Sequence, residues 1–140
     1  MRENNFVFPL RVYYEDTDAG GVVYYANYLR YFERARTEWL RTLGFEQDEL
    51  MRTRRIAFAA RSVAVDYLKP ARLDDELTIV STLIKLGRAQ MVFAQRAERN
   101  GELLVDAKTR IASFDPLRGK AIAMPKEIHL KLEPLLGVAA

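Results

Sequence analysis

Two carboxylates, two adjacent glycines and the start of a helix follow one another closely in this sequence. Asp16 and Asp18 are two residues apart, Gly20 and Gly21 come directly after them, and an amphipathic segment begins near Ala26. Glycines let the backbone approach a ligand closely, and the first N–H groups of a helix lack intrahelical partners. A carboxylate beside free N–H groups supplies a base or nucleophile next to a donor for a developing anion. Acyl transfer needs this combination.

The same pattern also fits a loop that only begins a helix. Asp, Thr and Gly favour turns and helix caps. Acidic side chains near a helix N-terminus are stabilised by about 0.3–1 kcal/mol each. The spacing alone leaves the chemical and the capping interpretation open.

Several kinds of chemistry are excluded by composition. The chain has no cysteine and one histidine, His129, near its C-terminus. Disulfides, thiolate nucleophiles and Cys-ligated zinc are therefore absent. One chain cannot build a multi-histidine metal site, and a Ser-His-Asp triad would depend on His129. We expect carboxylates, hydroxyls, amines or backbone amides to act, with no metal and no cofactor.

Length and charge predict an ordinary small protein. A chain of 140 residues with 49% hydrophobic and 29% charged residues fits one globular domain, residues 1–140. No apolar run reaches the ~20 residues of a membrane-spanning helix, and residues 1–6 do not resemble a signal peptide, so we expect a cytoplasmic location. The net charge of +3 is spread along the chain, which argues against nucleic acid as a partner and suits a phosphate-bearing small ligand.

One long helix is predicted between about residues 26 and 43. Apolar residues recur there every three or four positions, as Tyr28, Phe32, Ala35, Trp39 and Leu43. Gly44 then supplies a natural terminator. The width of this stripe indicates a helix buried at the centre of the domain.

Strands are predicted before and after this helix. Residues 6–15 alternate as a strand, and segments near 57–68, 75–86, 90–99 and 102–114 are rich in β-formers. Asn100-Gly101 predicts a tight hairpin, and a short helix is expected over 126–134. Short turns indicate an antiparallel meander, which gives an α+β fold with a curved sheet around one helix. Sheet edges need partners, so a homodimer or homotetramer with a composite site is expected.

The loop motif resembles that of a known family. The pattern R-V-x4-T-D-x2-G-V-V is carried here by Arg11, Val12, Thr17, Asp18, Gly21, Val22 and Val23. It resembles the signature of the 4-hydroxybenzoyl-CoA thioesterase family. Segments 12–24, 31–38, 67–75 and 115–117 most resemble the YbgC-type acyl-CoA thioesterases associated with the Tol–Pal system. The resemblance covers nearly the whole chain and implies a hotdog fold and acyl-CoA hydrolysis without metal or redox cofactor.

The resemblance also assigns roles by position. It implies that Asp18 is the catalytic carboxylate and that Tyr25 supplies the backbone N–H that polarises the thioester carbonyl. The whole account then depends on a buried acid facing unpaired main-chain donors. YbgC-type sequences commonly have Tyr-His where this chain has Tyr24-Tyr25. A histidine side-chain role is therefore absent, whereas a backbone role survives the substitution. Asp18 acts either as nucleophile or as general base for water.

Further substrate-binding candidates each have an ordinary alternative. Tyr14 lines the acyl pocket or packs in the core, and Asn27 contacts ligand or caps the helix. Gly21 and Val22 belong to the loop motif. Arg61 and Arg88, like Lys85, hold a CoA phosphate or are plain surface charges.

Two functions from different classes remain open on the sequence. The first is an acyl-CoA thioesterase, acting on acyl-CoA or related acyl-pantetheine. The second is a non-catalytic hotdog module that binds acyl-CoA or acyl carrier protein. Asp18 with its N–H partners serves either function.

Overall fold

The computed structural model describes residues 4–139. Residues 1–3 and 140 lie outside this range. The expectation about a signal peptide concerns residues 1–6, so half of that segment is not among the described residues. No helix within residues 4–139 is long and apolar enough to cross a membrane.

The described chain consists of one sheet, one long helix and several short helical segments. The strands are β1 (Asn5–Arg11), β2 (Ala57–Tyr67), β3 (Glu76–Leu86), β4 (Gln90–Arg99), β5 (Glu102–Asp115) and β6 (Lys120–Ala121). The α-helices are α1 (Asn27–Thr42), α2 (Gln47–Glu49) and α3 (Lys126–Leu132). Single 3-10 turns lie at Tyr14–Asp16 and Glu133–Leu135, and a π-helical turn at Leu50–Arg54.

The sheet is antiparallel throughout, with strand order β1-β3-β4-β5-β2 and β6 added to β5. The predicted meander is therefore correct for β3, β4 and β5 but wrong for β2. That strand pairs with β5, for instance Val65 with Ala107, and leaves β3 to pair with β1. The burial of the strands gives the reason. Most residues of β3 are buried, which suits an inner strand, whereas most of β2 is exposed, which suits an edge.

Helix α1 confirms the predicted central helix almost to the residue. Its buried face carries Tyr28, Phe32, Ala35 and Trp39, which pack against the sheet. Gly44 ends it with a φ of 92°, in the left-handed region that glycine adopts freely. The α+β prediction of a curled sheet around one helix is confirmed.

The ends of the smaller elements separate good predictions from poor ones. The Asn100-Gly101 hairpin is confirmed, with φ values of 52° and 79° that suit a type I′ turn. Strand β1 is shorter than predicted. It stops at Arg11, and a 3-10 turn replaces its second half because Asp16 bonds back to the backbone of Tyr13. That turn places the acidic loop directly before α1.

Candidate active site

The acidic loop between β1 and α1 is fastened to the segment that precedes β3. The N–H of Val23 donates to the carbonyl of Ala71 at 2.8 Å, and Val22 forms an antiparallel bridge with Arg72. Within the loop, the N–H of Tyr24 donates to the carbonyl of Asp16 at 2.9 Å. The loop therefore has a fixed path even though much of its surface is exposed.

Asp18 occupies the tip of this loop. Its Oδ1 accepts a hydrogen bond from Gly20 N–H at 2.8 Å, and its own N–H donates to the carbonyl of Val22 at 2.9 Å. Gly21 closes the turn with a φ of 79°. The expected burial of Asp18 is wrong for the single chain, where its side chain is exposed. The tight turn from 18 to 21 carries the carboxylate away from the core.

The buried acid of the loop is Asp16, with 7% of its surface exposed. Its Oδ2 accepts a hydrogen bond from Tyr13 N–H at 2.8 Å. Its carbonyl accepts two more, from Tyr24 N–H at 2.9 Å and from Asn27 Nδ2 at 2.8 Å. Asp16 thus connects the loop to the first turn of α1.

A buried tyrosine lies beside this carboxylate. Tyr31 is 1% exposed, and its hydroxyl has no hydrogen-bond partner of normal geometry within residues 4–139. Burial raises the pKa of Tyr31 well above its ordinary value, and the neighbouring Asp16 carboxylate raises it further. The Tyr31 hydroxyl therefore stays protonated and adds no negative charge beside the loop.

Asn27 is not the N-terminal cap of α1. The cap position is held by Ala26 without a side-chain hydrogen bond, and Asn27 is already helical. Its amide bonds to Asp16 instead, because the loop folds back over the first turn. Ligand contact by Asn27 stays a prediction.

Free main-chain donors are present at the start of α1. Asn27 N–H donates to the carbonyl of Tyr24 at 2.8 Å, and Tyr28 N–H to that of Tyr25 at 3.3 Å. The N–H groups of Tyr25 and Ala26 make no hydrogen bond to any residue between 4 and 139. Unpaired N–H groups at the start of a helix are of the kind that can donate to an oxyanion.

An aromatic cavity of about 240 Å³ adjoins these donors. Its lining residues are Val23, Tyr25, Tyr28, Tyr67, Leu68, Lys69 and Pro70. The rings of Tyr25 and Tyr67 meet edge to face with centroids 6.0 Å apart, and the Tyr28 hydroxyl accepts from Ala71 N–H at 2.9 Å. Sequence reasoning missed Tyr28 and Tyr67 because helical and strand periodicity assigned them to the core and the sheet. An aromatic residue at a strand end opposite a helix start was the available signal.

Tyr14 does not line this cavity. Its side chain is 83% exposed, so the alternative of core packing is wrong as well. The 3-10 turn directs it outward. A ligand contact at Tyr14 stays a prediction.

Arg61 and Arg88 come together at another cavity, of about 330 Å³. Ala89, Gln90, Ala112 and Ala121 complete its lining. The two arginines are far apart in sequence and meet because β5 lies next to both β2 and β4. Lys85 lines a different groove, with Lys108 and Arg110.

The acidic residues of α1 are explained by local pairs. Glu38 forms an ion pair with Arg41 at 2.6 Å, and Glu33 accepts a hydrogen bond from Thr37. No group of three or more metal-ligating side chains occurs within residues 4–139.

Comparison with known proteins gives a consistent result. The model of the thioesterase-like superfamily matches residues 12–132. The acyl-CoA thioesterase YbgC of Haemophilus influenzae is 47% identical over 136 residues, covering 94% of this chain and all of the relative. The long-chain acyl-CoA thioesterase FadM of Escherichia coli is 31% identical over 113 residues, covering 79% of this chain and 84% of the relative. A probable thioesterase from Bartonella henselae superimposes with a TM-score of 0.83 at 35% identity, covering 86% of this chain and 99% of its own.

Proposed function

This chain belongs to the thioesterase-like superfamily, and from that premise we propose that it hydrolyses acyl-CoA thioesters with Asp18 and the N–H of Tyr25. One observation carries the proposal. An exposed carboxylate, free of ion pairs within residues 4–139, lies on the loop that leads into two unbonded N–H groups beside an aromatic cavity. The relatives whose names state acyl-CoA hydrolysis cover nearly the whole chain.

The chemistry follows from this arrangement. The thioester carbonyl oxygen accepts a hydrogen bond from the N–H of Tyr25, while Asp18 attacks the carbonyl carbon or removes a proton from the attacking water. Negative charge develops on the oxygen and meets the N–H and the positive end of α1. One such donor contributes about 3–4 kcal/mol to lowering the barrier. The CoA thiolate leaves, and the acid is released directly or from an Asp18 anhydride.

Two cavities support a proposed position for each end of the substrate. We place the acyl group in the cavity at Tyr25, whose 240 Å³ is below the usual 300–1,000 Å³ of ligand pockets and suits short or aromatic acyl groups. The CoA phosphates lie at Arg61 and Arg88, where guanidinium groups give charge-assisted contacts. Replacing Arg88 by Gln should raise KM with little change in kcat.

A second copy of the chain completes the assembly. Strand β2 pairs with β5 on one side only, and its outer edge has no partner within residues 4–139. An exposed edge of 11 residues carrying Val63 and Tyr67 invites another strand. We propose a homodimer through β2 edges, which would also cover the exposed Asp18 loop near Tyr67. Light scattering that gives a monomer mass at micromolar concentration would contradict it.

A thiol-release assay tests the activity. Wild-type protein should hydrolyse at least one member of a panel of short, long and aromatic acyl-CoAs. Asp18→Asn should reduce kcat at least about 100-fold, the range for loss of a positioned base, and should leave CoA affinity unchanged. Asp106→Asn, on the exposed side of β5, is the matched control and should be fully active. No hydrolysis by wild type with retained acyl-CoA binding would establish the non-catalytic module instead.

Isotope labelling separates the two mechanisms. A single turnover in ¹⁸O-water, followed by mass analysis of the peptide that contains Asp18, shows whether label enters the side chain. Label in Asp18 requires the anhydride, because it enters the side chain only when water attacks the Asp18 carbonyl carbon of that anhydride. Labelled product with an unlabelled peptide shows that water attacked the acyl carbon, as general-base catalysis requires.

A further inference from the structure

A third cavity, of about 320 Å³, lies between the second half of α1 and the sheet. It shares no lining residue with the cavity at Tyr25. Arg36 lines it nine residues after Asn27, which is about 14 Å along the helix. Most of the remaining wall is apolar, from Leu40, Phe58, Met91, Phe93 and Ile111.

Arg36 brings an incompletely paired charge into this apolar space. Its Nη1 donates to Oε1 of Gln95 at 2.9 Å. That is its only hydrogen bond to residues 4–139, and none of their carboxylates lies within salt-bridge distance of it. A guanidinium has five N–H donors in a planar fork. Most of them are therefore left for an occupant of the cavity.

The interior of the protein holds Arg36 in place. Gln95 is fully buried, and its Nε2 donates to the carbonyl of Phe32 at 3.0 Å and to Oγ of Ser81 at 2.8 Å. Buried polar networks of this kind fix one side-chain position. Arg36 is thus part of a formed site rather than a mobile surface side chain.

The electrostatic environment favours an anion. Burial lowers the pKa of Arg36, and Glu33 opposes this by raising it. Glu33 is the only other charged group among the lining residues, but its side chain is exposed and already accepts a hydrogen bond from Thr37. A partly buried cation without a bonded anion is costly, so a negative ligand that reaches it is stabilised.

We propose that this cavity binds the carboxylate of a small organic acid, with Arg36 holding the two oxygens and the apolar wall holding the hydrocarbon body. The planar fork of a guanidinium matches a carboxylate in two parallel hydrogen bonds. The volume lies at the lower end of ligand pockets and excludes an entire CoA. The acid comes from one of two sources, either as a free acid or as the far carboxylate of an acyl group still attached to CoA.

Calorimetric titration with hexanoate and benzoate, against hexanamide and benzamide, tests the site itself. Wild-type protein should bind the acids at least about tenfold more tightly than the neutral amides. Arg36→Gln should remove that preference, and Arg41→Gln, which breaks only an exposed ion pair, should keep it. Failure of both acids to bind, or equal binding of acid and amide by wild type, overturns the proposal.

A second variant guards against loss of folding in Arg36→Gln. Thr37 lines the same cavity and is partly exposed, so Thr37→Leu narrows the space while Arg36 stays intact. The variant also removes the hydrogen bonds of the Thr37 hydroxyl with Glu33 and Gln47. Benzoate affinity should fall at least about tenfold while cooperative thermal unfolding shows that the variant is still folded. Unchanged benzoate affinity in this variant also overturns the proposal.

Thioester kinetics distinguish the two sources. If the far carboxylate of an acyl group binds, Arg36→Gln lowers kcat/KM for dodecanedioyl-CoA, whose chain is long enough to span the distance between the two cavities, and not for dodecanoyl-CoA. If only free acids bind, the two thioesters respond alike while the titration still shows the loss. This kinetic comparison rests on the proposed thioesterase function, whereas the titration does not. An enzyme inactive on every thioester would therefore refute that function and leave the acid site standing on its own result.

Discussion

Asp16 and Asp18 are two residues apart in one loop and have opposite surroundings. Asp16 is buried, and its carboxylate and carbonyl together accept three hydrogen bonds from the loop and α1. Asp18 is exposed, and among residues 4–139 its carboxylate accepts a hydrogen bond only from the N–H of Gly20. One acid holds the loop to the helix, and the other keeps lone pairs free, as the catalytic role proposed for it requires.

The comparison shows that one short loop can hold a buried structural carboxylate and an exposed, largely unbonded carboxylate side by side. The 3-10 turn at Tyr14–Asp16 directs Asp16 inward, and the Gly20-Gly21 turn then projects Asp18 outward. A carboxylate that reacts must not be saturated with donors, because each donor lowers its basicity. We therefore expect substitution of Asp16 to change mainly the stability and substitution of Asp18 to change mainly the catalytic rate.

The largest difference between the two acids is expected in stability. Asp16→Ala should lower the free energy of unfolding by about 1.5–3 kcal/mol, because it removes a buried hydrogen-bonded carboxylate. Asp18→Ala should change it by no more than about 0.5 kcal/mol, as for other exposed positions. Urea unfolding followed by circular dichroism measures both. Equal losses of unfolding free energy in the two variants would contradict the proposed difference between Asp16 and Asp18.

The next effect concerns the connection between Asp16 and the helix. Asn27→Ala removes the hydrogen bond to the Asp16 carbonyl, which keeps its other donor, Tyr24 N–H. We expect a loss of about 0.5–1.5 kcal/mol in stability and a fall in kcat, since the Tyr25 N–H is no longer held in position. Asn4→Ala is the matched control, because it removes an amide-to-carbonyl bond at the surface. An unchanged kcat in Asn27→Ala would remove Asn27 from the positioning of the site.

Much of this could be predicted from the sequence, and the failures are instructive. Periodicity predicted α1, β3, β4 and β5 because each has a clear buried face. It could not place β2 beside β5, because strand order depends on which strands bury both faces rather than on sequence order. The burial of Asp18 was wrong for a similar reason. An Asp-x-Asp pattern gives two candidate acids, and only the turn geometry tells which one faces inward.

The lining of the cavities, like the strand order, depends on contacts between residues that are distant in sequence. The motif located the loop and Tyr25, but Tyr67 reaches the cavity from the far end of β2. Arg61 and Arg88 were proposed together as phosphate partners, and the structure brings them to one cavity. No sequence motif singles out Arg36. Its position beside the buried Gln95 depends on contacts 59 residues apart in sequence.

A smaller effect is expected at Tyr25. Tyr25→Phe keeps the N–H and the ring that meets Tyr67, so kcat/KM should stay within about threefold of wild type, less than 1 kcal/mol. Tyr25→His, the residue common in similar sequences, should likewise remain active. A loss of 100-fold in Tyr25→Phe would mean that the hydroxyl takes part in the chemistry and that the backbone role is insufficient.

The smallest effect concerns Asp75, a third carboxylate in the segment that anchors the loop. Burial by itself raises the pKa of Asp75, but Arg72 N–H at 2.8 Å and Arg99 Nη1 at 2.7 Å outweigh it and lower the pKa below the ordinary 3.8. A lowered folded-state pKa gives stability that is fully present above pH 3.8 and is lost as the pH falls through the folded-state value.

The melting temperature of Asp75→Asn should therefore lie slightly below that of wild type at pH 7, and the difference should shrink as the pH falls below 3.8. The difference in melting temperature should be small, because the side chains of Arg99 and Asp75 are 25% and 24% exposed and water screens their attraction. A melting-temperature difference that widened as the pH fell would contradict a lowered pKa of Asp75. Unchanged catalysis in Asp75→Asn at pH 7 is also expected, since Val23 stays bonded to the carbonyl of Ala71 and still fixes the path of the loop toward Asp18.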